Sequence, residues 1–264
     1  MSINANFAAT IRPVRRLVKT TPMTDDKTTI IAPVAYFRSP FPSKFGVPRQ
    51  SGVVADLPGE IVFVPEFRRE EALKGIEDFS HLWLVWGFSG NAGRWQMTVR
   101  PPRLGGNKSV GVFASRSPFR PNGLGLSAVV LDKVDRDAPD GPVLKVLGAD
   151  LIDGTPIYDI KPYIRYADSH PEARSGYTDN VEWEEAEVIF PEHLEEKFRV
   201  LGRASSEDVS VLKKVLAQKP VPRYQHDAEK VYGMPYKGCD IRFRVTESGI
   251  EVLDIVGDPR SSRG

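Results

Sequence analysis

The sequence predicts a mainly β fold, a barrel or a sandwich, with a small α+β domain after it. Three observations predict this. Short apolar runs of strand length recur between Gly- and Pro-rich turns from about residue 30 to 190, which suits an all-β layer better than a doubly wound sheet. The period then lengthens to that of helices in two stretches, 191–203 and 205–219. A last pair of alternating runs, CDIRFRV and GIEVLDIV, meets at Thr246-Glu247-Ser248-Gly249 as a hairpin. We therefore divide the chain into a flexible extension at 1–29, a β domain at 30–191, a small α+β domain at 192–257 and a tail at 258–264.

The elements follow in order. Residues 1–29 carry Arg12, Arg15, Arg16 and Lys19 and no acid before Asp25; they share this bias with transit peptides but are read as a plain extension. IIAPVAYF at 30–37 reads as a strand that Pro33 confines to a sheet edge. The stretch at 38–52 is too punctuated for a core element. EIVFV at 60–64 is a strand, and EFRREEALKGIEDF at 66–79 a helix with a partial apolar stripe. LWLVWGF at 82–88 is continuously apolar, so it is buried on both faces or lies in a barrel, which puts Trp83 and Trp86 in the core. Runs at 110–114, 126–134, 143–152, 155–163 and 183–190 continue the strands. In the second helical stretch Ser205 or Ser206 is the cap, Glu207 and Asp208 fill the first turn, and Pro220 and Pro222 stop it.

Composition narrows the function. No apolar run is long enough to span a bilayer as a helix. A single cysteine, Cys239, excludes an internal disulfide framework and suits a reducing, cytoplasmic setting. The four histidines are far apart and no spacing fits a metal site, so no metal is expected. Net charge is only +1, yet 53 consecutive residues, 79–131, contain no Asp or Glu, where proportion would give about seven. Arg100, Arg103, Lys108, Arg116 and Arg120 lie in that gap. Such a surface draws anions inward, so we read Arg100, Arg103 and Lys108 as phosphate contacts; a merely solvated set of arginines is the plainer alternative.

Smaller patterns leave alternatives open. Asp150 and Asp153 bracket Leu151 and Ile152, which offers either an apolar slot with acceptors or an ordinary Asp-Gly-Thr-Pro turn. Arg49, between Pro48 and Gln50 in a stiff loop, is either a two-pronged carboxylate reader or a surface residue. His81 is read as structural more readily than as a base. Trp95, with Trp83 and Trp86, is a candidate base-stacking residue. No G-x-G-x-x-G opens a helix after a strand, so a Rossmann cofactor site is not supported.

Four long motifs stand in order: FRSPFPSKFGVPRQSG at 37–52, FSHLWLVWGF at 79–88, VRPPRLGGNKSVGVFASRSPFRPNGLGLS at 99–127 and DLIDGTPIYDIKPY at 150–163. On these the chain resembles the TsaA/YaeB-like family, also called TrmO. One departure is Gly123, where the family usually has Pro after the Asn of Arg-Pro-Asn. The resemblance implies a single-sheeted β-barrel and a non-Rossmann enzyme that uses S-adenosylmethionine to methylate N6 of threonylcarbamoyladenosine beside the tRNA anticodon. It also implies a homodimer with the cofactor near the interface. Carried over residue by residue, Pro48, Arg49, Gln50, Phe88, Ser89, Arg116, Leu126, Asp150, Leu151, Ile152 and Asp153 become the expected cofactor site. Within it Asp153 is expected to hold the amine hydrogens so that the lone pair faces the methyl, and Arg120 to meet the threonylcarbamoyl carboxylate. The competing reading is a nucleotide- or RNA-binding module without turnover.

Overall fold

The computed structural model describes residues 29–91, 93–101, 104, 108–179, 185–221 and 229–257. Six strands pair in a ring: β1 (Ala35–Arg38), β2 (Pro58–Phe63), β7 (Val143–Leu147), β6 (Leu124–Asp135), β3 (His81–Gly87) and β8 (Pro156–Pro162), which returns to β1 as a closed barrel. Every one of these pairings is antiparallel. β1 therefore has a neighbour on each side and is not an edge; Pro33 sits before the strand, where its missing N–H costs no ladder bond.

Alternation fills the interior. Leu82, Leu84 and Trp86 of β3 point inward with Ile61, Val129, Leu144 and Ile157, while Trp83 and Val85 are half-buried on the outside. Trp83 is thus not a core residue as the sequence suggests; its indole N–H donates to the Asp168 carboxylate 3.0 Å away, on the short helix α2 (Arg165–Asp168).

Three expected elements differ. The helix at 66–79 is broken into a 3-10 turn at Pro65–Phe67, α1 (Glu70–Leu73) and a second 3-10 turn at Ile76–Asp78. Its apolar stripe was only partial, and of these elements only Leu73 is buried, so nothing holds a longer helix down. The strand at 110–114 shrinks to β5 (Val110–Gly111), paired with β4 (Thr98–Val99) in a ribbon apart from the barrel, and continues as a 3-10 turn at Val112–Ala114. The strand at 143–152 stops at Leu147, leaving Asp150 to Asp153 in a loop.

The second unit is a four-stranded sheet in the order β10 (Val231–Tyr236), β11 (Cys239–Val245), β12 (Gly249–Gly257) and β9 (Glu187–Ile189). β9 runs parallel to β12, the others antiparallel. Helices α3 (Glu192–Gly202) and α4 (Ser206–Ala217) cover it, burying Leu194, Phe198, Val209, Leu212 and Val215. Ser205 caps α4 with a reciprocal pair of bonds to Asp208. Among the described residues no helix is long and apolar enough to cross a membrane, and no group of acids, His and Cys is placed to hold a metal.

Candidate active site

A cleft of about 380 Å³ opens at one end of the barrel, within the size range of small-molecule sites. The end of β3 and start of β6 supply its apolar wall: Trp86, Phe88, Leu124 and Leu126, with Trp83 beside them. Trp86 and Phe88 meet edge-on with ring centroids 4.4 Å apart, a favoured aromatic geometry. The β3–β6 pairing runs one residue beyond the strand, because Phe88 N–H donates to Gly123 O at 2.8 Å. Gly123 has φ +58°, and its own N–H donates to Arg120 O at 3.1 Å. Proline can supply neither, so the departure from the family pattern is built into this turn.

The polar side is made by two loops and one acid. Pro48, Arg49 and Gln50 face Ser115, Arg116, Pro118 and Arg120. Arg116 Nη1 donates to Gln50 Oε1 at 2.5 Å, and Gln50 Nε2 donates to Arg49 O at 2.6 Å, so the loops are tied together. The second loop knits itself: Ser115 Oγ donates to Val112 O at 2.8 Å, and Arg120 Nη1 donates to Ser115 O at 2.9 Å.

Among the described residues Asp150 is the one carboxylate lining the cleft. The Ser127 hydroxyl, itself 1% exposed, donates to its Oδ1 at 2.5 Å, and the Trp86 indole N–H donates to Ser127 Oγ at 3.0 Å. The chain Trp86–Ser127–Asp150 leaves the serine proton only one direction, towards the acid. Burial pushes the Asp150 carboxyl above its ordinary range; the Ser127 bond and the Arg116 charge oppose that shift without cancelling it.

The structure therefore brings together Pro48, Arg49, Gln50, Phe88, Arg116, Leu126 and Asp150, and adds Arg120 to them. It does not bring Ser89, Leu151, Ile152 or Asp153 to the cleft wall. Ser89 is exposed in the turn after β3, and Leu151 is 2% exposed in the barrel core. Asp153 is exposed, and its Oδ1 accepts the Ser39 N–H at 3.0 Å while its N–H donates to Phe41 O at 2.8 Å. This carboxylate closes a loop instead of facing the cleft. Arg100 and Lys108 are exposed outside it, and Arg103 lies outside the described residues. His81 is exposed at the start of β3, bonded to Ser80 Oγ at 2.8 Å. Sequence reasoning did not single out Ser127, and it read Trp83 and Trp86 as core or base-stacking residues without placing them in this cleft. For Trp86 the strand's own alternation, ending on Phe88, was the usable signal; Trp83 stands on the opposite face and has none.

Known proteins match both units. The model of the tRNA-methyltransferase O N-terminal domain matches residues 36–169, and that of the TrmO C-terminal domain matches 183–258. The chain is 40% identical over 230 residues to the tRNA (adenine(37)-N6)-methyltransferase of Escherichia coli K12, covering 86% of this chain and 97% of that one. It is 40% identical over 185 residues to the protein of the same name from Eikenella corrodens, covering 67% and 97%. A Pseudomonas aeruginosa protein named for S-adenosylmethionine-dependent methyl transfer is 38% identical over 238 residues. Among solved structures, a crystal structure of TrmO superposes with a TM-score of 0.70 at 33% identity, covering 87% of this chain and all of that one.

Proposed function

Because the chain belongs to the tRNA-methyltransferase O family, we propose that it methylates N6 of an adenosine beside the tRNA anticodon, with S-adenosylmethionine as methyl donor, and that threonylcarbamoyladenosine is the form it accepts. The observation carrying this reading is a half-buried, hydrogen-bonded carboxylate, Asp150, in a cleft lined by aromatic rings and arginines.

The cleft's residues fit the cofactor. An adenine ring calls for an apolar slot, which Trp86, Phe88, Leu124 and Leu126 offer. An amino-acid end calls for charge and amide groups, which Arg49, Gln50 and Arg116 offer. When bound, the cofactor supplies a methyl already activated as a sulfonium substituent, so the protein's work is alignment and proton handling.

N6 of the substrate carries one hydrogen, and its lone pair is delocalised. The N–C bond would form as the methyl–sulfur bond breaks, its electron pair staying on sulfur as a neutral thioether, and the N6 hydrogen would leave as a proton. Asp150 takes it on the oxygen not already receiving the Ser127 hydroxyl, and its raised affinity for a proton suits the task. We thus move the amine-holding role expected of Asp153 to Asp150. Arg120, fixed by the Ser115 carbonyl and turned into the cleft lining, meets the threonylcarbamoyl carboxylate.

The deciding test mixes the full chain, methyl-labelled S-adenosylmethionine, and tRNA carrying threonylcarbamoyladenosine but not the methyl group. Label should enter the RNA and, after digestion, one nucleoside. RNA that stays unlabelled while both ligands bind would leave a binding module and remove the enzyme.

A further inference from the structure

Beside the cleft, the protein leaves large apolar side chains in water. Phe113 is 79% exposed, Met97 71%, Trp95 48% and Phe119 37%. Isolated exposed apolar residues are ordinary, but a contiguous set marks a contact surface. Three observations make these one set. β4 and β5 pair Thr98 with Gly111, which puts Met97 next to the Val112 turn; the Val112 N–H donates to Met97 O at 2.9 Å. The Gln96 N–H donates to Phe119 O at 3.2 Å, so the segment before β4 that carries Trp95 runs beside the loop carrying Phe119. Phe119 stands between Pro118 and Arg120, both lining the cleft.

The sequence around the rim chooses its partner. Arg94, Arg100 and Lys108 are exposed on the same segments, and the whole stretch from 79 to 131 holds no acid. A protein-binding apolar patch has no need of that one-sided charge, whereas single-stranded nucleic acid combines phosphates with unpaired bases that stack on aromatic faces. We propose that the Trp95–Phe113–Phe119 rim is a stacking platform for unpaired RNA bases flanking the target nucleotide, with Arg94, Arg100 and Lys108 on the backbone. The proposal rests on the RNA-modifying reading above and names how the RNA is held next to the cleft.

The test is an equilibrium binding measurement, which needs no turnover. Full-length wild type, Trp95→Ala and Phe113→Ala are titrated against a fluorescent synthetic anticodon stem-loop RNA, and against the same RNA made abasic at the two nucleotides flanking the target. Each alanine should weaken binding of the intact loop by roughly fivefold to a hundredfold. On the abasic loop, wild type and variants should converge. Phe113→Tyr, which keeps the π face, should bind like wild type. The salt slope should be unchanged by either alanine and flattened by Arg100→Gln with Lys108→Gln, because only the latter remove phosphate contacts. Unchanged affinity in the alanine variants, or an equal loss on both RNAs, overturns the platform. So does a fall in assembly size on sedimentation with RNA affinity intact, which would make the rim a contact between copies of the chain. Correct stacking behaviour without methyl transfer by wild type would overturn the enzyme reading and leave the platform standing.

Discussion

Asp150 shows how one half-buried acid couples stability to chemistry. Its carboxyl is raised above the ordinary value near 3.9. Between the ordinary and the raised value the native state holds more proton than the unfolded chain, so stability falls as pH rises through that window, and the cost is fully present at neutrality. Asp150→Asn keeps an acceptor for Ser127 and removes this cost. We expect it to melt higher than wild type at pH 7, with the gap closing as pH drops from the raised value to the ordinary one. Methyl transfer should fall about a hundredfold or more, while calorimetry shows S-adenosylmethionine affinity within a few fold of wild type. Collapse of that affinity would make Asp150 a cofactor acceptor and not the proton's destination. In wild type the acid limb of the rate profile should lie above the usual carboxylate range, rate rising with pH. The sequence reading assigned the amine-holding role to Asp153 and placed Asp150 only among the cofactor residues. What separates them is distant: Ser39 and Phe41 engage Asp153, while Ser127, itself held by the indole of Trp86, engages Asp150. No local pattern carries that choice. Gly123 is the opposite case, since a visible departure from the family motif pointed straight at a turn with φ +58°. Gly123→Pro, although it restores the family's usual residue, should lower both melting temperature and transfer in a parallel assay.

At the scale of elements, strong periodicity was legible and short or punctuated pieces were not. α3, α4 and the β11–β12 hairpin stand where apolar spacing put them. β10 was missed because VYGMPY contains Gly233 and Pro235; it is an edge strand, paired only with β11 among the described residues, where proline is tolerated. Residues 66–79 satisfied helical composition but lacked a surface to pack on, and broke into turns. The α4 cap was readable because Ser and Asp three residues apart suffice for it. Ser205→Ala deletes one half of that box and should cost about 1 kcal/mol, seen as a drop of about 2–4 °C in a thermal melt. Transfer by the folded fraction should not change, since Ser205 is absent from the cleft lining.

For the whole molecule, the segment from Ser39 to Leu57 decides whether the two units act as one. It leaves the barrel at β1 and returns at β2, yet Phe41, Val54 and Leu57 belong to the apolar core of the second unit. Phe41 meets Tyr236 edge-on at 5.0 Å, and the Lys237 N–H donates to Pro40 O at 2.8 Å. Lys214 of α4 pairs with Asp56. The same segment carries Pro48, Arg49 and Gln50 into the cleft. The cleft's polar wall is therefore braced on the second unit, a link that sequence could not show because it depends on contacts nearly two hundred residues apart. Gly46 is the joint where this can be tested without touching the cleft lining. Its φ is +93°, and a Cβ there would stand 2.2 Å from Met234 Sδ of β10 and 3.2 Å from the Phe41 ring. Gly46→Ala meets both an unfavourable backbone and a collision, and should destabilise by more than about 1 kcal/mol. If the loop is the brace, the folded variant should also show a raised KM for S-adenosylmethionine, because Arg49 and Gln50 shift with the loop while Asp150, held by Ser127, stays. Met234→Ala placed on top of Gly46→Ala opens room for the added methyl, and should recover part of the lost cofactor binding even though it creates no new contact with the cleft. A KM that stays at the wild-type value in Gly46→Ala, with only the melting temperature lowered, would uncouple the second unit from the cleft.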